Sequence, residues 1–503
     1  MPGQASNVED QEQGYLGQSG FMHIFRPSQS SPILNPSPSQ ALDLTRLTIS
    51  PVLRQGFAET YLEYCYPWCP VLEHEDLHSG GPFSKSLLLQ QALALLGSII
   101  NPPRLRHDSP QTYYERFKSL FHRNHERNAL VRIVAITLVY WWCAGPPNLV
   151  SMDSQYWWNS VAVRMAQEIG LHREPSSGYT SRPGETASLR RRIWWTLFGR
   201  PCIIHPDDCD VRLPTIEDFP HAATSRAELF INWVKICAVV GDVSRYLVQR
   251  TESTPFPFDL AQRLIEWVQA LPAHLRLPFG TDQASRFDRL LYQLHLPHLG
   301  AITLLYVSPS AQSLPKAYTA AILSASCVAR IVEDYLVRGS IRFPNGVAGW
   351  YNSIAILALL HARRVRSLEP GASEQIDVLY LALKEMAKLW HSSKMFLIGF
   401  DKLLKDSHPP INRTMANNAE RGSGLDELTV ENGVNPRDFF PTTTVEISQI
   451  FKVLLTENPP STFRGAKWTN DLSMQLHDLF DQPYDEFNFD ALMTYTRPPE
   501  EFH

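Results

Sequence analysis

Apolar residues at helical spacing recur through most of this chain, and this periodicity restricts the folds that it can adopt. Side chains such as Leu53, Phe57 and Tyr61 repeat along one helix face, and similar stripes continue to about residue 396. Prolines and glycines interrupt the stripes, strand-like alternation is nearly absent, and no repeat of fixed period emerges. The pattern therefore predicts an all-α fold with one large multi-helix domain. The apolar helix expected from Leu290 to Tyr306 should be kinked at Pro297.

Composition divides the chain into four segments. Residues 1–50 are rich in Pro, Ser and Gln and are expected to form a mostly disordered arm, whereas the helical pattern occupies residues 51–406. A polar stretch rich in Asn, Pro and Gly indicates a linker at 407–445, and residues 446–503 form an acidic, aromatic tail. A short helix is expected within the tail's first residues.

The tail alternates acidic and apolar side chains between Asp471 and Met493. This composition is typical of disordered activation segments, because the acids keep the aromatic rings solvated until the segment folds onto the groove of a partner. The alternative is a merely acidic tail without such a role. The residues predicted to contact the partner are Phe480, Tyr484, Phe487, Phe489 and Leu492.

The most specific stretch of the chain runs from Tyr156 to Pro214. Its first helix is expected to be capped by Asp153 or Ser154 and to end where Gly170 takes a left-handed conformation before an apolar residue. Its second helix carries three consecutive arginines, 190–192, directly before Ile193 and two tryptophans. Because three arginines are too few for a nucleic-acid or localisation patch, we expect them to pair with acids of neighbouring helices or to lie over tryptophan rings.

Charge and cysteine content exclude several classes of protein. The net charge of −5 does not indicate a globally basic nucleic-acid binder. Seven scattered cysteines suit a reducing compartment, and no signal peptide or membrane-spanning run is recognisable, so a cytosolic or nuclear protein without a membrane partner is expected. Motifs for phosphate loops, dinucleotide folds and zinc proteases are absent from the sequence, which predicts a non-enzyme without catalytic, cofactor or metal-binding residues.

Three segments within this central stretch carry a family resemblance. In order they read AVRMAQEIGLHRE at 162–174, RRRIWWTLF at 190–198 and GRPCIIHPDDCDVRLP at 199–214. Together they resemble the fungal-specific transcription factor domain, which is the middle homology region of fungal zinc-cluster transcription factors, over about residues 50–400. The residues that match its motifs, and to which the resemblance gives a structural role, are Arg164, Gly170, Leu171, His172, Arg191, Arg192, Trp194, Trp195, Gly199, Arg200, Pro201, Asp210 and Pro214.

The resemblance implies a nuclear regulator of transcription, of a kind that commonly controls a metabolic pathway or a biosynthetic gene cluster in secondary metabolism. In such a protein the helical region would form the contacts of a homo- or heterodimer. It would also control activity and bind a small-molecule effector. The acidic tail would contact coactivators or the transcriptional machinery.

The sequence departs from the family pattern at its beginning. Residues 1–50 contain no cysteine, so the six-cysteine zinc cluster of the family is absent from this stretch and no zinc is expected in this chain. DNA would then be reached indirectly or through a missing module. Two readings are open: a cluster-less accessory regulator that binds a DNA-bound partner, or a truncated gene model of a zinc-cluster activator. A second departure is the direct junction of Phe198 and Gly199, where family members carry a further segment.

Overall fold

The computed structural model of the protein describes twelve stretches of the chain. They are residues 47–77, 80–142, 151–175, 179, 181–198, 209–220, 224–250, 254–279, 287–308, 316–344, 346–406 and 434–456, without the side chains of 402–406 and 456. Within these stretches helices dominate, and the strands amount to one antiparallel pair of two residues each. The predicted all-α fold is confirmed.

The helices follow one another along the chain with short connections. Their bounds are α1 Pro51–Thr60, α2 His74–Leu77, α3 Leu87–Ile100, α4 Pro110–His122, α5 Ala129–Val139, α6 Gln155–Glu168, α7 Ala187–Phe198, α8 Thr224–Gln249, α9 Phe258–Ala270, α10 Arg289–Leu305, α11 Thr319–Val337, α12 Ala348–Ala362, α13 Glu369–Met386, α14 His391–Asp406 and α15 Gln449–Thr456. The strand pair joins β1 Val307–Ser308 to β2 Lys316–Ala317. Among the helices described, none is both long and apolar enough to cross a lipid bilayer.

Side-chain caps fix where several helices begin. Ser50, Ser86 and Ser109 each accept a hydrogen bond from a backbone N–H in the first turn of α1, α3 and α4, and thereby satisfy a donor that has no partner within the helix. Asn128 and Asp288 do the same for α5 and α10. Helix α10 continues through Pro297, the position at which the sequence predicts a kink.

Two groups of helices meet around α7 and α8. In the first group α3 packs against α1, α4 and α5, whereas in the second α10, α11, α12 and α13 pack in succession. Helix α8 contacts α10 on one side and α7 on the other, and α7 also touches α5 and α6. The central stretch of the sequence therefore lies where the two groups join, and Trp158 and Trp194 are among the largest fully buried side chains.

The chain returns to the helical domain near its C-terminal end. Residues 434–456 form a 3-10 turn at Pro436–Phe439 that contacts α9 and α11, and then α15, which contacts α11 and α13. The N–H of Thr444 donates to the carbonyl of Phe279 at 3.0 Å, and the hydroxyls of Ser448 and Ser326 are 2.8 Å apart. Six apolar side chains of this segment are buried: Phe439, Phe440, Ile450, Phe451, Val453 and Leu454.

These contacts bear on the expected domain organisation. The sequence predicts a linker at 407–445 and a tail from 446, and part of each packs against the helical domain instead of lying outside it. Helix α15 lies where a short helix is expected at the beginning of the tail, but the sequence alone does not indicate that this helix packs on the domain. Residues 1–46, 407–433 and 457–503 lie outside the described residues, and with them most of the predicted arm and the five activation residues of the tail. The last four residues of the predicted arm are described, and Leu47 and Ile49 among them are buried.

Candidate functional site

The beginning of α6 forms at one of the two expected capping residues. Ser154 is the cap, and its hydroxyl accepts from the N–H of Trp157 at 3.1 Å. Asp153 instead accepts from the hydroxyl of Tyr114 at 2.8 Å and pairs with Lys118 at 2.9 Å. The carboxylate therefore ties α6 to α4 and does not cap the helix.

The end of α6 forms as the sequence predicts. Gly170 has a φ of 75°, which is the left-handed conformation that glycine adopts without the steric cost of a Cβ. Its N–H donates to the carbonyl of Gln167 at 3.0 Å, and the N–H of Leu171 donates to that of Ala166 at 2.8 Å. These two bonds define a Schellman motif, in which the buried Leu171 side chain folds back onto the helix.

Arg190, the first of the three consecutive arginines, binds at the end of α6. Its guanidinium pairs with Glu185 and donates to the carbonyls of Gly170 and Arg173. The Arg190 side chain is 5% exposed and that of Glu185 is 0% exposed, so this ion pair is shielded from water. The ring that the guanidinium faces belongs to Tyr179, whose centroid lies 4.9 Å away.

Arg191 joins two further segments. It makes a bidentate pair with Glu174, with the two N–H···O distances at 2.7 and 2.8 Å, and a third bond to Asp218 at 3.0 Å. Asp218 also accepts two bonds from Arg212, at 2.8 and 3.0 Å, and its side chain is 1% exposed. One buried carboxylate is thus shared by two arginines from different parts of the chain.

Arg192 reaches the N-terminal helices. Its guanidinium pairs with Glu73, which also accepts from the hydroxyl of Tyr66 at 3.0 Å, and it lies 5.7 Å from the ring of Phe219. Three neighbouring arginines therefore bind acids in three separate segments. We call this set of side chains the arginine–acid network; its members are Arg190, Arg191, Arg192, Arg212, Glu73, Glu174, Glu185 and Asp218.

The two tryptophans that follow the arginines are buried, but their rings are not the ones that the arginines face. Trp194 packs with its ring centroid 6.0 Å from that of His172, and the indole N–H of Trp195 donates to the carbonyl of Arg212 at 2.8 Å. The sequence predicts arginines over tryptophan rings, whereas the rings found over Arg190 and Arg192 are those of a tyrosine and a phenylalanine. Pairing with acids is confirmed for all three arginines, but the acids lie in connecting segments and in a 3-10 turn and not in neighbouring α-helices as predicted.

The remaining motif residues fall into three groups. Asp210 accepts from the N–H of Glu174 at 2.8 Å and donates its own N–H to the carbonyl of His172 at 3.3 Å, so it docks the third motif segment on the first, and Pro214 is buried after it. Arg164 lies apart from the network, with its side chain 74% exposed and paired to Glu168. Gly199, Arg200 and Pro201 lie outside the described residues.

Four residues that matter to this arrangement are not singled out by sequence reasoning: Glu73, Tyr179, Glu185 and Asp218. Nothing in the sequence around Glu73 marks it as the partner of an arginine 119 positions later. Asp218 carries a local signal, because Thr215 and Asp218 form a capping box around a single turn.

The network shifts the pKa of its buried acids. Burial disfavours the charged form of Glu185, but bonds from the Arg182 N–H and from Arg190 outweigh it and hold the pKa below its ordinary value. The pKa of Asp218 is lowered in the same way, against burial, by the Thr215 N–H and by the two arginines. Both carboxylates are therefore ionised at neutral pH and paired to arginines.

The lowered pKa values predict how stability depends on pH. A carboxylate whose pKa is lower in the folded chain than in the unfolded chain contributes stability that is complete above the unfolded pKa, near 3.8 for Asp218 and 4.5 for Glu185, and is lost as the pH falls through the folded value. Urea unfolding from pH 7 to pH 3 is expected to show Asp218→Asn least stable relative to the parent at pH 7. The difference in the free energy of unfolding between the parent and Asp218→Asn should narrow below about pH 4. A difference that stays constant with pH would contradict the prediction.

The arginine–acid network is suited to joining segments of the chain and not to catalysis. The acids accept hydrogen bonds from arginines, so they are not available as general bases at neutral pH. Within the stretches that the structure describes, no group of three or more His, Cys, Asp or Glu side chains is arranged to hold a metal ion.

The comparison with protein families identifies the class of this domain. Residues 58–232 match the family model of the fungal specific transcription factor domain, and this range contains the whole arginine–acid network. The resemblance seen in the three motif segments is thereby confirmed. The matched range includes all three motif segments and ends within α8.

Curated relatives of the chain are fungal transcription regulators. It is 23% identical to cutinase transcription factor 1 alpha of Fusarium vanettenii over 69% of this chain and 42% of that protein. It is 26% identical to the acetamidase regulatory proteins of Aspergillus fumigatus and Aspergillus oryzae, over 71% and 90% of this chain and 49% and 63% of theirs. That these relatives are regulators and not enzymes agrees with the expectation of a non-enzyme.

The alignment covers only part of the length of each of these relatives. The chain spans between 42% and 63% of the length of these three proteins, so their full activities extend over regions that have no counterpart in this alignment. No solved structure matches the chain.

Proposed function

We propose that the protein is a nuclear regulator of transcription whose helical domain is the regulatory part and whose acidic tail makes the contact with coactivators. The observation that carries this proposal is the assembly of three separate motif segments into one buried arginine–acid network inside the matched domain. The motif residues thus act as architecture. The network holds α7 against the end of α6, the segment at 210–218 and the turn that contains Glu73.

The names of the relatives support a role in metabolism. The names of two relatives, cutinase transcription factor 1 alpha and acetamidase regulatory protein, each combine an enzyme with a regulatory role. By analogy we propose that this chain controls genes of a metabolic pathway or of a biosynthetic cluster. Deletion of its gene followed by RNA profiling is expected to lower a small, co-regulated set of enzyme transcripts, and an unchanged profile under all nutrient conditions would contradict this.

The tail is proposed to activate transcription through its aromatic residues. Since residues 434–456 pack against the helical domain, the segment to test begins at residue 457. A fusion of 457–503 to an unrelated DNA-binding domain is expected to raise expression of a reporter gene. Replacing Phe480, Tyr484, Phe487, Phe489 and Leu492 with alanine should abolish the effect, because these rings supply the apolar contact with the partner.

A matched control separates apolar contact from charge. Replacing Asp478, Asp481 and Asp485 with asparagine keeps every apolar side chain and removes three charges. A reporter response that survives loss of the aromatic residues but not loss of the acids would show that the acidic charges, and not the aromatic side chains, cause activation. A silent parent fusion would remove the proposed role of the tail altogether.

The route to DNA is proposed to be indirect or through a separate module. An accessory regulator would bind a partner that is already on DNA. The helical domain would make this contact, in a homo- or heterodimer. A zinc-cluster activator would carry its six-cysteine module in a segment absent from this sequence. Transcript sequencing upstream of the first codon decides between the two, because an in-frame six-cysteine segment would exclude the accessory regulator.

A further inference from the structure

Two buried histidines lie next to each other on one face of α10. His295 and His298 are three positions apart, each is 1% exposed, and their ring centroids are 6.3 Å apart. The indole of Trp267 on α9 packs against both imidazoles, at centroid distances of 5.5 and 5.0 Å. We call His295 and His298 the histidine pair, and it lies where α9 packs on α10.

The hydrogen bonds of the histidine pair fix its neutral form. Nε2 of His295 lies 2.8 Å from the carbonyl oxygen of Leu275, and Nε2 of His298 lies 3.1 Å from that of Leu264. Because a carbonyl oxygen only accepts, each Nε2 carries the proton and each Nδ1 is a bare acceptor. Both Nδ1 atoms are sealed from solvent and have no hydrogen-bond partner among the residues described. A second proton on either ring would therefore be buried without an acceptor.

Charging either imidazole is unfavourable in this environment. Burial lowers the pKa of His295 to about 4. Burial, together with repulsion from the charge of His295, lowers the pKa of His298 to about 3. Within the stretches described, no charge outside the pair acts on either ring. Both histidines therefore stay neutral in the folded chain at neutral pH.

The elements packed around the pair direct their charged and titratable side chains to other partners. These elements are α8, α9, α11, α12 and residues 271–279, which we call the connecting segment. The side chains and their partners are His274 with Glu228, Arg276 with the carbonyls of Leu271 and Gln269, Arg263 with Asp242, Asp334 with Tyr292, and His361 with the backbone of Ala317.

The connecting segment also holds the part of the chain that returns to the domain near its C-terminal end. The carbonyl of Leu275 accepts from the histidine pair. Two positions further on, the carbonyl of Leu277 accepts from the hydroxyl of Thr442 at 2.8 Å. The carbonyl of Phe279 accepts from the N–H of Thr444 at 3.0 Å. Alternate carbonyls of one short segment thus bind the histidine pair and residues 442–444.

We propose that the histidine pair is a pH switch for the docking of residues 434–456 on the helical domain. When the connecting segment separates from α10, both imidazoles reach water and regain their ordinary affinity for a proton. Acid favours this open form, because the closed form cannot accept the two protons. Opening moves the carbonyls to which Thr442 and Thr444 bind, so the docked residues are released with it. The acidic tail follows them in the sequence, and only that link to activation rests on the proposed function.

The direction and size of the effect follow from the pKa values of the two forms. A histidine whose pKa is lower in the closed form than in the open form stabilises the closed form fully above the open-form value of 6.5. This contribution is lost progressively as the pH falls below that value. Between pH 7.5 and pH 5.5 each histidine is expected to raise the equilibrium constant for opening about tenfold, and the pair about 100-fold.

Hydrogen exchange of the full chain at pH 7.5 and pH 5.5, followed by mass spectrometry, tests the proposal. After correction for intrinsic exchange rates, amide protection in the connecting segment and in residues 439–454 is expected to fall about 100-fold at the lower pH. Protection in α5 should not change. His298→Gln, which keeps an N–H donor near the position of Nε2 and does not titrate, should reduce the change to about tenfold. His125→Gln, at an exposed histidine outside the pair, should leave the full change.

Three results would overturn the proposal. Equal protection at the two pH values would show that opening does not take up protons. An equal loss of protection in α5 would show that acid acts through unfolding of the whole domain and not through release of one segment. A full change in the double variant His295→Gln and His298→Gln would exclude the pair as its cause. If the variants do not fold, the comparison of segments in the parent chain still decides, and the reporter test of the isolated tail is independent of every one of these outcomes.

Discussion

Replacing Glu185 with glutamine is expected to lower the free energy of unfolding by about 3–5 kcal/mol, because it leaves the Arg190 charge buried without a carboxylate. The Glu185 side chain is 0% exposed and accepts from Arg190, from Tyr179 at 2.8 Å and from the Arg182 N–H at 2.8 Å. Glutamine keeps the shape but supplies one acceptor oxygen and no charge. Urea unfolding at pH 7 measures the change.

The exposed pair on α6 provides the matched control. Glu168 pairs with Arg164 at 3.2 Å, and their side chains are 57% and 74% exposed. Glu168→Gln should therefore change the free energy of unfolding by no more than about 0.5 kcal/mol. A double-mutant cycle with Arg190→Met isolates the buried pair, and coupling near zero would show that Arg190 and Glu185 do not stabilise each other.

Replacing Phe451 with alanine is expected to cost about 3–5 kcal/mol, which is the usual effect of removing a fully buried aromatic side chain. Phe451 is 0% exposed on α15 and lies with its ring centroid 5.7 Å from that of Phe440. Its loss opens a cavity between the returning segment and the helical domain. Thermal and urea unfolding of the full chain measure the effect.

Two comparisons separate the packing of this segment from a general effect of the C-terminal end. Lys452→Ala, at the exposed neighbouring position, is expected to stay within about 0.5 kcal/mol of the parent. Removing residues 457–503 should leave the unfolding midpoint nearly unchanged, whereas removing 434–503 should lower it sharply or prevent folding. Equal effects of the two truncations would mean that 434–456 adds nothing to the domain.

The helices and their ends could be predicted because their causes are local. Ser154, Gly170 and Leu171 act within one turn of α6, so the spacing of residues in the sequence already contains the cap and the Schellman motif. That the arginines pair with acids could also be predicted, since buried guanidinium groups need carboxylates.

The identity of the partners could not be predicted, because tertiary contacts decide it. Glu73 and Arg192 are 119 positions apart, and no local pattern distinguishes Glu73 from the two acids that closely follow it, Glu75 and Asp76. The return of 434–456 to the domain was hidden for a similar reason. The segment contacts α9, α11 and α13, which are distant from it in the sequence.

The three adjacent arginines of α7 restrict the insertions and deletions that this region can accept during evolution. Successive residues of a helix point about 100° apart, so 190, 191 and 192 face three directions and each meets its acid only in one register. Inserting or deleting a single residue just before them would turn all three away from their partners at once. A change of length at this point would therefore break three ion pairs, whereas a substitution of one acid breaks the contacts of that acid alone.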